Sequence, residues 1–234
     1  MPGRYNAYRL SSIPTYLSNM IRLRKITLAG LLAAILFAGA TASAAESAGM
    51  IRQPNAGGDP VAGKTESGFC QGCHGVQGIS FVDLIPNLAG QSAPYTAKQL
   101  RDFQTGARTH QTMSSLSKSI NATELADISA YFAGMKKMQG NGSGDNPLAE
   151  KLFRKGDPAR DIPACASCHG INGKEPVSAT YPVIGGQHGE YLRVQLFHFR
   201  GGERSNSPGG MMSKAAKNLT NAEIGSLSDY LSGL

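Results

Sequence analysis

Two short stretches constrain this chain more than anything else in it. Cys70-Gln71-Gly72-Cys73-His74 and Cys165-Ala166-Ser167-Cys168-His169 both read Cys-x-x-Cys-His, and they hold all four cysteines of the 234 residues. That is the spacing of c-type haem attachment. Two thiols three residues apart can each bond one side-chain carbon of the same porphyrin, and the histidine that follows is then held beneath the iron. A disulfide, a dithiol redox pair or half a zinc site also uses Cys-x-x-Cys. None of these needs a histidine directly after the second cysteine, or explains its recurrence with Gly75 and Gly170 following. The expectation is two covalently bound haem c groups. Cys70 and Cys73 attach one and Cys165 and Cys168 the other, with His74 and His169 as axial iron ligands.

Around these motifs one module is written twice, which sets the whole fold. Asp59-Pro60 and Asn146-Pro147 each read as a cap with proline at the first helical position, the second helix running to Gly156. Pro86-Asn87-Leu88-Ala89-Gly90-Gln91 matches Pro182-Val183-Ile184-Gly185-Gly186-Gln187. Tyr95, Gln99, Leu100, Phe103 and Arg108 then match Tyr191, Gln195, Leu196, Phe199 and Arg204, all 96 positions apart. Asn121/Glu124 and Thr220/Glu223 are capping boxes, 99 apart, that open helices with apolar stripes. The Gly-rich stretch 139–145 reads as a flexible linker. The predicted organisation is a first domain over 45–138 and a second over 146–234, helical, with no convincing strand. Aromatics are only 7% and tryptophan is absent. A haem in each domain would serve as a large apolar core element.

The repeat also selects the second axial ligand. Carried back from the terminal helices at the offset of 99, Met113 aligns with Met212, while Met211 falls opposite Thr112. The extra residues of the second copy fall around Pro208-Gly209-Gly210. His110, His188 and His198 have no histidine partner in the other copy, and Met135 and Met138 no methionine partner. Met113 and Met212 are therefore the expected partners of His74 and His169. Methionine opposite histidine is the arrangement of electron-carrying cytochromes.

The formal charge of +7 misleads. Five of the 23 basic residues and none of the 16 acids lie in 1–44, leaving 18 against 16, a net of +2. That balance gives no footing for nucleic-acid binding. Arg22, Arg24 and Lys25, then an apolar run, then Ala42-Ser43-Ala44 read as a secretory signal with Met20 as the start and cleavage after Ala44. The alternative is an uncleaved anchor, though the apolar run is shorter than the ~20 residues that span a bilayer.

From about Asp59 to Leu234 the arrangement resembles the di-haem cytochromes c of the c4 type. The resemblance rests on the paired Cys-x-x-Cys-His-Gly motifs, the Pro-x-x-x-Gly-Gln blocks, the Gln-Leu-x-x-Phe segments ending in Arg108 and Arg204, and the methionine loops. It implies an all-α fold of two tandem class I cytochrome c domains, each wrapped around one haem with His and Met ligands. It further implies a periplasmic electron carrier between a quinol-oxidising complex and a terminal oxidase, with no small-molecule substrate and, in some members, a loose membrane association. By the same resemblance the Pro86 and Pro182 carbonyls accept the Nδ1 protons of His74 and His169. The resemblance makes Tyr95, Tyr191, Arg108 and Arg204 candidates for contact with the haem propionates. Two like domains on a short Gly-rich linker are expected to dock with their propionate edges together near these four residues. The competing readings are a di-haem oxidoreductase of peroxidase or thiosulfate dehydrogenase type and an electron-entry subunit of a larger complex.

Overall fold

Helix starts follow the local chemistry of the sequence. The computed structural model describes residues 57–234, so the expected leader, with Met20 and the cleavage site after Ala44, lies outside the described residues. Asp59 accepts the Val61 N–H at 2.8 Å and starts α1 (Pro60–Glu66). Asn146 accepts the Ala149 N–H at 3.0 Å and starts α6 (Pro147–Lys155). Both capping boxes form: Asn121 with Glu124 opens α5 (Ala122–Ala133), and Thr220 with Glu223 opens α10 (Asn221–Gly233). Each such cap contributes about 1 kcal/mol by satisfying N–H groups that the helix itself cannot. Between them lie α2 (Gly68–His74), α3 (Ala93–Thr105) and α4 (Gln111–Leu116) in the first half, and α7 (Ala166–His169), α8 (Gly189–Gly201) and α9 (Met211–Ala216) in the second. Among the described residues no strand forms, and the one β pairing is an isolated bridge between Asp157 and Ile162.

Each half has its own apolar centre. In the first, Leu100 of α3 meets Leu125, Ile128 and Phe132 of α5, with Ile120 beside them. In the second, Phe153 of α6 packs with Leu192 and Phe199 of α8 and with Ile224, Leu227, Tyr230 and Leu231 of α10. The stripes at i, i+3 and i+7 on α5 and α10 are thus the faces that turn inward. Phe153 is fully buried and its ring lies 5.8 Å from that of Tyr230. Phe153→Ala removes a ring that no neighbour can replace. Its expected effect is a loss of about 3–5 kcal/mol in denaturant unfolding of the haem-loaded protein. A change under about 1 kcal/mol would show that the second half does not depend on this cluster.

The 139–145 stretch behaves differently from its composition. It lies against the end of α10, with the Gly140 N–H donating to Leu234 O at 2.7 Å and the Gly142 N–H to Gly233 O at 3.0 Å. A Cβ at Gly140 would sit 2.2 Å from the Gly233 carbonyl carbon. Glycine serves here for close backbone approach rather than for freedom. The two halves fall within one compact unit. No described helix is long and apolar enough to cross a membrane.

Candidate functional site

Each Cys-x-x-Cys-His motif ends a short helix, α2 or α7, so the histidine leaves the last turn pointing into its own half. The chain must then turn sharply. Gly75 and Gly170 both adopt φ 82°, and a Cβ would lie 1.9 Å from Ile79 O at the first and 2.3 Å from Glu175 O at the second. Only glycine fits there, which explains its recurrence after both motifs. His74 and His169 are buried. His74 Nδ1 lies 2.8 Å from Pro86 O, and His169 Nδ1 lies 3.0 Å from Pro182 O. A carbonyl can only accept, so each Nδ1 carries the proton and each Nε2 keeps a free lone pair for a metal. Burial, against the bonds to Pro86 and Pro182, holds both imidazoles below the usual histidine range. Both are therefore neutral at pH 7, the form that binds iron.

The four cysteines are unbridged. Burial above all pushes the Cys70 and Cys165 thiols up to about 11. A neutral thiol is a poor redox nucleophile or zinc ligand. Among the described residues no three His, Cys, Asp or Glu side chains gather to hold an ion. Cys70 and Met113 pack on the apolar cluster of the first half, Cys165 and Met212 on that of the second. The backbone N–H of each methionine is held by a side chain just upstream: Met113 N donates to His110 Nδ1 at 3.3 Å and Met212 N to Ser207 Oγ at 3.1 Å. Met211 is exposed, with its sulfur 3.9 Å from the Tyr181 hydroxyl. The donor set in each half, two thiols, one imidazole nitrogen and one thioether, fits a covalently attached haem.

Between the halves the repeat becomes a pseudo-two-fold seam. Arg108 donates to Gln99 Oε1 of its own half at 2.8 Å, and to Gln195 Oε1 and the Tyr191 hydroxyl of the other at 2.9 and 3.1 Å. Arg204 mirrors it, donating to Gln195 Oε1 at 2.7 Å and to Gln99 Oε1 and the Tyr95 hydroxyl at 3.0 and 3.1 Å. The guanidinium carbons stand 4.7 Å above Phe103 and 4.5 Å above Phe199. Burial alone would raise the Tyr191 phenol, but the charges of Arg108 and Arg204 outweigh it and draw it below its usual range. These partners are neutral amides and phenols. Two positive charges therefore share the seam with neutral hydrogen-bond partners. Nearby, Asn206 reaches from the second half to Gln99 Oε1 at 3.0 Å and to Asp102.

The Cytochrome c family profile matches residues 149–234. Cytochrome c4 of Thiocapsa roseopersicina is 42% identical over 182 residues, covering 76% of this chain and 93% of that protein. The chain belongs to the cytochrome c4 family. The crystal structure of reduced recombinant cytochrome c4 from Pseudomonas stutzeri superposes with a TM-score of 0.70 at 36% identity, covering 76% of this chain and 99% of that one. A protein of Stutzerimonas stutzeri named thiosulfate dehydrogenase electron acceptor is 31% identical, over 70% of this chain and 78% of its own length.

As a cytochrome c4, the chain is an electron-transfer protein with two covalently bound haem c groups on an all-α cytochrome c fold. Of the residues set aside in the sequence, His198 is exposed and His110 caps α4. His188 reaches across the seam to Ser80 O at 3.0 Å. Met138 is buried and Met135 packs on the first cluster. Sequence reasoning gave no role to Gln91, Gln187, Gln99, Gln195 or Asn206. The first four recur at the 96-residue offset, a signal that could have marked them. What it could not reveal is that each one bonds across to the other copy.

Proposed function

We propose that the chain is a periplasmic single-electron carrier linking a quinol-oxidising complex to a terminal oxidase. In this reading His74 and Met113 ligate the iron attached through Cys70 and Cys73, and His169 and Met212 the iron attached through Cys165 and Cys168. The domain division is that of the sequence, 45–138 and 146–234 about the 139–145 linker. The carrying observation is the equivalence of the two sites: each half has a buried, carbonyl-oriented histidine, and a methionine of fixed N–H that packs with the first cysteine of the motif on one apolar cluster. When bound, haem supplies a reversible one-electron couple on its iron. The protein residues do the rest. His74 and His169 would give neutral nitrogen donors, and the Met113 and Met212 thioethers would supply the second protein ligand of each iron and so exclude small ligands. Arg108 and Arg204 hold positive charge at the seam, where an extra electron is electrostatically favoured.

Exposed apolar side chains surround both motifs: Val76, Phe81, Val82 and Leu84 after the first, and Ile171, Val177 and Met211 around the second. Such patches suit brief docking of redox proteins. A second reading draws on the relative named thiosulfate dehydrogenase electron acceptor, in which the donor is a thiosulfate-oxidising enzyme. Carbon monoxide added to the reduced protein tests the ligand set. The spectrum is expected to stay unchanged, because in this reading His and Met ligands would leave neither iron an open position. A carbon monoxide complex at either haem would mean an open iron and would favour an oxidoreductase.

A further inference from the structure

Gln91 and Gln187 repeat at the offset of 96, and both are buried. Gln187 Oε1 accepts the Asn87 N–H at 2.8 Å, and Gln187 Nε2 donates to Asn87 O at 2.9 Å. Gln91 does the same across the seam, with Oε1 accepting the Val183 N–H at 2.8 Å and Nε2 donating to Val183 O at 2.8 Å. The Asn87 N–H belongs to the same peptide group as the Pro86 carbonyl, the group that accepts the His74 Nδ1 proton. The Val183 N–H likewise shares its peptide group with the Pro182 carbonyl that accepts from His169. Two continuous chains result. One runs from Gln187 Oε1 through the Pro86–Asn87 peptide to His74. The other runs from Gln91 Oε1 through the Pro182–Val183 peptide to His169. Each begins in one half and ends on the histidine of the other.

A peptide whose N–H is engaged has a more negative carbonyl oxygen, and hydrogen bonds in a chain strengthen one another in a buried setting. A stronger acceptor at Nδ1 makes an imidazole a more basic metal ligand. A more basic axial ligand favours ferric over ferrous iron, so the potential falls. From this crossed geometry we infer that Gln187 and Gln91 are positioning residues that tune the haem of the opposite half, Gln187 acting on the iron of His74 and Gln91 on that of His169. Opening the seam would release both effects together, so the potentials report how closely the halves are docked. The inference rests on His74 and His169 being the axial ligands.

The test is redox titration of the haem-loaded protein, with the two potentials assigned from the paramagnetically shifted methyl resonances of each haem. In Gln187→Leu the haem of His74 rises in potential, and an electron shared between the haems moves toward it by roughly two- to fivefold, a fraction of one hydrogen bond. Gln91→Leu shifts the same electron toward the haem of His169. Gln187→Glu keeps an acceptor for the Asn87 N–H, so the haem of His74 stays at or below its parent potential. General loosening of the seam would instead raise that haem in the Leu and the Glu variants alike. The inference is overturned if Gln187→Leu moves the haem of its own half, moves both equally or moves neither, with the low-spin spectrum kept. It is also overturned if the Glu variant rises as the Leu variant does. Should His74→Ala leave both haems low-spin, the ligand assignment fails instead.

Discussion

Replacing Cys70 and Cys73 together by alanine is expected to yield a protein lighter by the mass of one haem, with the first half no longer stably folded. The two thiols of α2 are unbridged and three residues apart, and Cys70 and Met113 both pack on the first cluster. That cluster has five buried members, Leu100, Ile120, Leu125, Ile128 and Phe132. A half of this size buries too little of its own apolar surface to stand alone, so the haem completes the centre. Amide exchange should then rise throughout α3 and α5, the helices that line it. The second half, with eleven buried residues in its cluster, should keep its haem and most of its protection. The seam makes the two losses unequal but not independent, because Arg204 and Gln187 lose partners on Gln99, Tyr95 and Asn87. Intact mass and exchange read by mass spectrometry check both parts. A protein that still carries two haems, or one that loses both, would rule out these cysteines as a self-contained attachment site.

Much of this architecture is written locally and so can be read locally. Caps act within four residues, and all four helix starts read from Asp59, Asn146, Asn121 and Thr220 form as hydrogen-bonded caps. The insertion placed at Pro208-Gly209-Gly210 is a turn of 3-10 helix ahead of α9, which accounts for the step in offset from 96 to 99. Glycine was the ambiguous letter. In 139–145 it reads as freedom, yet Gly140 is a point of backbone contact with Gly233, and no local pattern separates the two uses. The seam was half legible. The recurrence of Tyr95, Arg108, Tyr191 and Arg204 pointed to a common place, and the four do meet. The glutamines look the same whether they bond within a copy or across to the other. The choice is made by the docking of the halves, a tertiary matter that sequence spacing does not encode.

The methionines give the sharper test, because two neighbours make opposite predictions. Met211 and Met212 are adjacent on the first turn of α9, about 100° apart around the helix, so only one can face the haem side. Met212 packs on the second cluster with Cys165, and its N–H is tied to Ser207 Oγ. Met211 turns outward toward Tyr181. Met113, opposite Met212 in the repeat, takes the matching place on the first cluster with Cys70. Thioether sulfur on ferric haem gives a weak far-red absorption band. Met113→Ala and Met212→Ala should each remove about half of that band and lower one of the two potentials, because methionine opposite histidine raises the potential of the iron it ligates. Together they should abolish the band and open both irons to carbon monoxide. Met211→Ala should leave band and potentials unchanged, since its side chain meets solvent and a tyrosine hydroxyl. Loss of half the band in Met211→Ala, with Met212→Ala unaffected, would mean that α9 presents its other face to the iron. The pairing carried back at 99 residues would then be wrong by one position.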